Sequence, residues 1–200
     1  KIALFTNNDS AYETAISLYQ KGINIEAIID NREEIDTKLI RETEKNNIKI
    51  YKGYTVIDTS GYKRINKVSI MQLSKDGQKV IGSKISISCD CLGISGGWTP
   101  AVHLFTQSGG KLKFRDEDQV FIPNIYPSDQ ISIGSCNGEF TLDEILSTIP
   151  KSLNRFLNLK KTGYEDIEIQ SSFNKSKRNI WLLPSDKVIG KTKPFVDYQN

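Results

Sequence analysis

A chain of 200 residues has room for one large domain, or for one domain and part of another, with a substantial core. A hydrophobic share of 38% excludes a disordered chain, and a net charge of +3 from 27 basic and 24 acidic residues excludes a nucleic-acid surface, since no segment concentrates Lys and Arg beside stacking aromatics. No apolar run approaches the roughly 20 residues that cross a bilayer, so no membrane partner is expected.

Residues 1–5 read as a short buried strand, and Thr6-Asn7-Asn8-Asp9-Ser10 as a turn rich in helix-capping types. Ala11, Tyr12, Ala15, Ile16, Leu18 and Tyr19 recur at helical spacing up to Gly22, and residues 23–29 read as a second buried strand ending at Asp30. Strand, turn, helix and strand within thirty residues form a βαβ unit of dinucleotide-binding type.

The turn departs from that type. A phosphate-cradling turn is glycine-rich so that backbone amides can approach a pyrophosphate, whereas residues 7–10 contain no glycine and place a carboxylate at Asp9. Helix-start amides still favour an anion, so Asn8, Asp9 and Ser10 remain candidate phosphate contacts. Asp30 stands where a ribose-binding acid lies, and Arg32 where a cation would cover an adenine or meet a 2′-phosphate. The other reading is a Rossmann-like unit kept for its shape, with Asp9 as the helix cap.

Residues 33–46 read as a charged surface helix with Ile35, Leu39, Ile40 and Thr43 on one side. Four β-type segments follow, 48–51, 55–59, 64–73 and 79–88, punctuated by Gly61 and by Asp76-Gly77, a hairpin signal. A final buried strand is expected over 85–94, ending at Gly96 and Gly97, because open α/β sheets take ligands outside the carboxyl ends of their strands. Alternation along that strand would turn Cys89 and Cys91 to one face as two small core side chains. Three cysteines without framework spacing fit a reducing compartment.

Beyond Gly110 a polar stretch, 111–118, precedes an apolar one, 119–122. Residues 131–133 suggest a short strand ending at Gly134, before Ser135-Cys136-Asn137-Gly138. A helix is expected over 141–157, with Leu142, Ile145, Leu146 and Ile149 on one face and an interruption at Pro150. Residues 162–178 read as irregular, and 179–184 as an apolar island packing back on the body. The single histidine, His103, cannot build a multi-histidine metal site, Trp98 suits a core or interface, and no carboxylate pair, P-loop, HExxH or GxSxG is present. No catalytic or metal-ligating residue is therefore assigned.

The run CDCLGISGGWTPAVHLFTQSGGKL, with ALFTNNDSAY, SIGSCNGEF and FVDYQN in the same order along the chain, resembles the alpha subunit of heterotetrameric sarcosine oxidase, within its half built from two dinucleotide-binding domains. The resemblance implies an α/β, Rossmann-like nucleotide-binding domain with an inserted β-meander, as in glutathione reductase, over 1–110. A segment returning to the FAD-type domain would span 111–145, and 146–200 would be a helical region and linker toward a folate-binding domain. On this reading the chain is a piece of a longer polypeptide.

It further implies oxidative demethylation of sarcosine by a cytoplasmic complex with beta, gamma and delta subunits. Such a complex uses FAD, FMN, NAD and tetrahydrofolate, and this portion would serve dinucleotide binding and scaffolding without carrying the redox step. In the FAD-type segment the family usually places Gly-Asp, whose Asp holds a ribityl hydroxyl. Gly134-Ser135 stands here instead, so the resemblance points to the backbone of Gly134 and Gly138 and the amide of Asn137 near a cofactor edge. The alternative is a degenerate, non-binding domain of a related amine or opine oxidase, or of a disulfide reductase-like protein, the last disfavoured by the lack of a CxxC.

Overall fold

The computed structural model describes residues 1–35, 37–127, 129–158, 180 and 183–187. Two units divide the chain between Gly97 and Trp98, the first also including residues 180 and 183–187.

In the first unit β1 (Ile2–Thr6) leads through a turn into α1 (Ser10–Gln20), then β2 (Ile25–Asp30), α2 (Lys38–Lys45) and β3 (Ile50–Lys52). Next come β4 (Tyr54–Gly61), β5 (Ile65–Leu73), β6 (Val80–Ser88) and β7 (Cys91–Ser95). The parallel strands stand in the order β3-β2-β1-β7, and β4-β5-β6 form a separate antiparallel meander. β1 pairs in parallel with β2, Leu4 opposite Ile28, and with β7, Leu4 opposite Gly93.

Alternation along the strands decides what each face meets. Ala3 and Phe5 of β1, with Ala27 and Ile29 of β2, face one way and pack on Val68, Ile70, Ile87 and Cys89 of the meander region. Leu4 and Ile28 face the other way, against Tyr12 and Ala15 of α1 and Ile40 of α2. A parallel sheet covered on both faces requires such near-continuous apolar strands. At Gly93 a Cβ would come within 2.6 Å of Leu4 Cδ2, so the end of the Leu4 side chain would have to shift to admit one.

Several expectations are corrected. The strand read over 85–94 is two strands: β6 runs antiparallel in the meander and ends at Ser88, whereas β7 starts at Cys91 and joins the parallel sheet. The chain changes sheets at Cys89-Asp90, so the two cysteines do not share an environment; Cys89 is buried and Cys91 exposed. The helix read over 33–46 is confined to α2, because Thr37 caps it by accepting the Ile40 N–H at 3.4 Å. The Asp76-Gly77 hairpin joins β5 to β6 as expected, Gly77 taking φ +72°.

The second unit holds α3 (His103–Gln107), the hairpin β8 (Lys111–Arg115) and β9 (Val120–Ile125), a 3-10 turn over Gly134–Asn137, and α4 (Leu142–Phe156). The strand expected over 131–133 is absent: Ile133 is extended, at φ −135° and ψ 151°, but lies in no sheet. Pro150 does not interrupt α4, which runs through it to Phe156. The proline forfeits one backbone hydrogen bond there, while the start of α4 is secured by Glu144, whose carboxylate accepts the Thr141 N–H at 3.4 Å. Trp98 is exposed; of the expected island over 179–184, residues 179, 181 and 182 lie outside the described residues, while 180, 183 and 184 are described and lie in no strand.

Candidate functional site at the carboxyl end of the parallel sheet

The turn after β1, the end of β2 and the segment after β7 meet at one edge of the sheet. The structure thereby brings Asn8, Asp9, Ser10, Asp30, Arg32, Gly96 and Gly97 to the place where doubly wound sheets take ligands.

The turn is closed by its own side chains. Thr6 Oγ1 accepts the Asn8 N–H at 3.1 Å and donates to the Ser95 carbonyl at 3.1 Å. Asn8 Oδ1 accepts the Ser10 N–H at 3.0 Å and also the Ser10 hydroxyl, while Asn8 Nδ2 donates to the Ser95 carbonyl at 3.0 Å. Asn8 therefore occupies a helix-start amide that a phosphate would need and ties the turn to β7. Gly97, at φ +104°, makes the left-handed step that carries the chain away from Ser95.

Asp9 holds the cap position of α1 but its side chain caps nothing. Instead Arg32 Nη1 lies 2.8 Å from Asp9 Oδ1, with both side chains almost fully buried. The same guanidinium meets Asp30 side-on: Nε donates to Oδ1 at 3.1 Å and Nη2 to Oδ2 at 2.7 Å. Asp30 also accepts the Arg32 backbone N–H at 2.9 Å and the Tyr12 hydroxyl at 2.9 Å. One cation thus bridges the β1–α1 turn to the end of β2, the two points that a dinucleotide would join through its pyrophosphate and ribose.

Burial works against the Arg32 charge, but the hydrogen bonds and field of Asp30, then the nearby Asp9 carboxylate, outweigh it and raise its pKa above the ordinary value. Burial and the adjoining Asp30 carboxylate push the Tyr12 phenol far above its ordinary 10.0. Because the folded-state value is the raised one, the neutral phenol favours folding, and stability falls as pH rises above about 10, where unfolded tyrosine ionises. In an alkaline titration followed by ultraviolet difference absorbance, one phenol should ionise only as the chain unfolds, and Tyr12→Phe should lose that component. Loss of reversible folded-state signal instead would contradict the burial.

These residues do not fit a dinucleotide at this turn. No glycine opens the turn, the Asp9 carboxylate is buried against Arg32, and Asp30 has no exposed surface and both oxygens engaged. Arg32 turns inward, away from any adenine. Beside the turn lies a cavity of about 130 Å³ lined by Phe5, Asn7, Asn31, Ile94, Ser95 and Gly96 among others.

Gly134, Asn137 and Gly138 belong to the second unit, where Glu139 organises them. Its carboxylate accepts the Gly134 N–H at 3.0 Å, the Asn137 side-chain amide at 3.1 Å and the Thr148 hydroxyl at 2.8 Å. Arg115, paired with Asp118, donates to the Gly138 carbonyl at 2.8 Å. A Cβ on Gly138, which takes φ +79°, would come within 2.7 Å of Arg115 Nη2. Sequence reasoning misses Tyr12, Glu139 and Arg115: Tyr12 reads as one more apolar helix position, and the other two read as surface charges although Asn137 and Asp118 stand only two and three residues from them. Among the described residues no three His, Cys, Asp or Glu are placed to hold a metal ion, and no helix is long and apolar enough to cross a membrane.

No family model matches the chain. It is related over its whole length to curated proteins named sarcosine oxidase subunit alpha: 27% identical over 206 residues to that of Corynebacterium sp. strain U-96, covering 100% of this chain and 21% of the relative. To that of Rhizobium meliloti strain 1021 it is 24% identical over 208 residues, covering 99% and 19%. The chain thus spans about a fifth of the length of the curated relatives it matches. Among solved structures, T. acidophilum thioredoxin reductase superposes with a TM-score of 0.51 at 17% identity, over 79% of this chain and 52% of that one. LpdA from Mycobacterium tuberculosis gives 0.50 at 10% identity, over 82% and 36%. At these identities the likeness is one of fold, a Rossmann-like parallel sheet that in this chain carries the meander β4-β5-β6.

Proposed function

We propose, from the relationship of the whole chain to sarcosine oxidase alpha subunits, that it contributes a dinucleotide-fold scaffold to a subunit of a multi-subunit flavin-dependent amine oxidase. Sarcosine would be demethylated by the complex, with flavin carrying the redox step and NAD and tetrahydrofolate bound at sites other than the β1–α1 turn. The observation that carries the scaffold role is the Arg32 bridge between Asp9 and Asp30, which supplies internally the link a cofactor would make. Such a unit holds its shape without a ligand and can present surfaces to neighbouring subunits at all times. The role in dinucleotide binding that the sequence resemblance suggests is not favoured by a turn closed in this way.

Calorimetric titration of the chain with NAD, NADP and FAD separates the readings. No binding tighter than about 1 mM is expected, nor any sarcosine-dependent peroxide formation by this polypeptide. A micromolar dissociation constant that Asp30→Ala abolishes would overturn the scaffold reading and restore the nucleotide site.

A further inference from the structure

Ile180 and residues 183–187 lie on the first unit, far along the chain from what they touch. Lys187 Nζ sits 3.1 Å from Asp58 Oδ2 on β4, and Lys84 Nζ on β6 sits 3.5 Å from Asp186 Oδ2. The polarity is crossed: the segment supplies one anion and one cation, and the meander supplies their opposites. Ser185 Oγ accepts the Lys187 N–H at 3.1 Å, a local turn that lets adjacent residues reach different strands. On the other side Ile180 and Leu183 join Phe5, Ile94 and Gly96 around the cavity at the carboxyl end of β1 and β7.

We propose that Ile180 and residues 183–187 form a releasable strap, fastened to β4 and β6 by these crossed ion pairs and laid over the sheet edge at which an α/β fold takes a ligand. The four charged side chains are 33–47% exposed, so the fastening is of the salt-screened kind that opens without disturbing the core. A hydrogen bond from Lys187 is the main cause holding the Asp58 carboxyl below its usual range. A strap of this sort guards the cavity and yields to high ionic strength or to a partner with its own charges for Asp58 and Lys84. The proposal concerns what covers the sheet edge and does not depend on whether the turn binds nucleotide.

Amide hydrogen exchange read by mass spectrometry tests it, using Asp58→Lys and Lys187→Asp singly and together. Each single reversal should speed exchange roughly fivefold in peptides covering 183–187 and β7, while the charge swap should return both to within about twofold of the parent. Amides of β1 and β2 should not change. Unaltered exchange in both single variants, no recovery in the swap, or equal acceleration in β1 and β2 would each overturn the strap. Failure of the scaffold reading would show separately, as heat on nucleotide addition.

Discussion

Arg32→Ala should destabilise the first unit by about 3–5 kcal/mol, the usual cost of removing one partner from a buried ion pair. The two carboxylates left behind have side chains 4% and 0% exposed, so water cannot replace the guanidinium without the turn opening. Arg32→Lys keeps the charge but loses the planar fork that meets Asp30 through two nitrogens and Asp9 through the third, and should fall between the parent and Arg32→Ala. Replacing the triad together, Asp9→Asn, Asp30→Asn and Arg32→Met, removes every charge and should recover most of the loss. Urea unfolding followed by circular dichroism measures the series. A loss below about 1 kcal/mol in Arg32→Ala would mean that the carboxylates rehydrate freely, and the closed-turn description would fail with it.

Ile70→Ala should cost about 2–5 kcal/mol by the same measurement. Ile70 is fully buried at the centre of β5, between Val56 of β4 and Ile85 of β6, and it lies in the cluster that joins the meander to Ala3, Phe5, Ala27 and Ile29. Truncation leaves a void on the seam between two sheets that cannot collapse without moving both. Ile81→Ala on β6 is the control, because that side chain is 46% exposed and should change stability by no more than about 1 kcal/mol. Equal losses at the two positions would show that the seam is not the source of the effect.

The βαβ opening was legible because its signals are local. Unbroken apolar runs make the strands, helical spacing and Gly22 delimit α1, and Asp76-Gly77 specifies a two-strand turn. The anomaly of the site was legible too, as a turn without glycine and with an acid inside it. Less legible were the boundaries at which two local patterns fit equally well. The stretch 85–94 is continuously β-forming, and only the competing demands of the meander and the parallel sheet break it at Cys89-Asp90. Pro150 signals a stop by local rules, yet α4 continues past it.

By itself the sequence determined the kind of fold and the absence of a standard phosphate turn, since strand periodicity and glycine content are properties of neighbours along the chain. Only the tertiary structure decided that Arg32 turns inward to join Asp9 with Asp30 under the Tyr12 hydroxyl. That choice rests on burial: the guanidinium leaves water because two acids, brought together by the pairing of β1 with β2, compensate it there, and no residue in isolation carries that information.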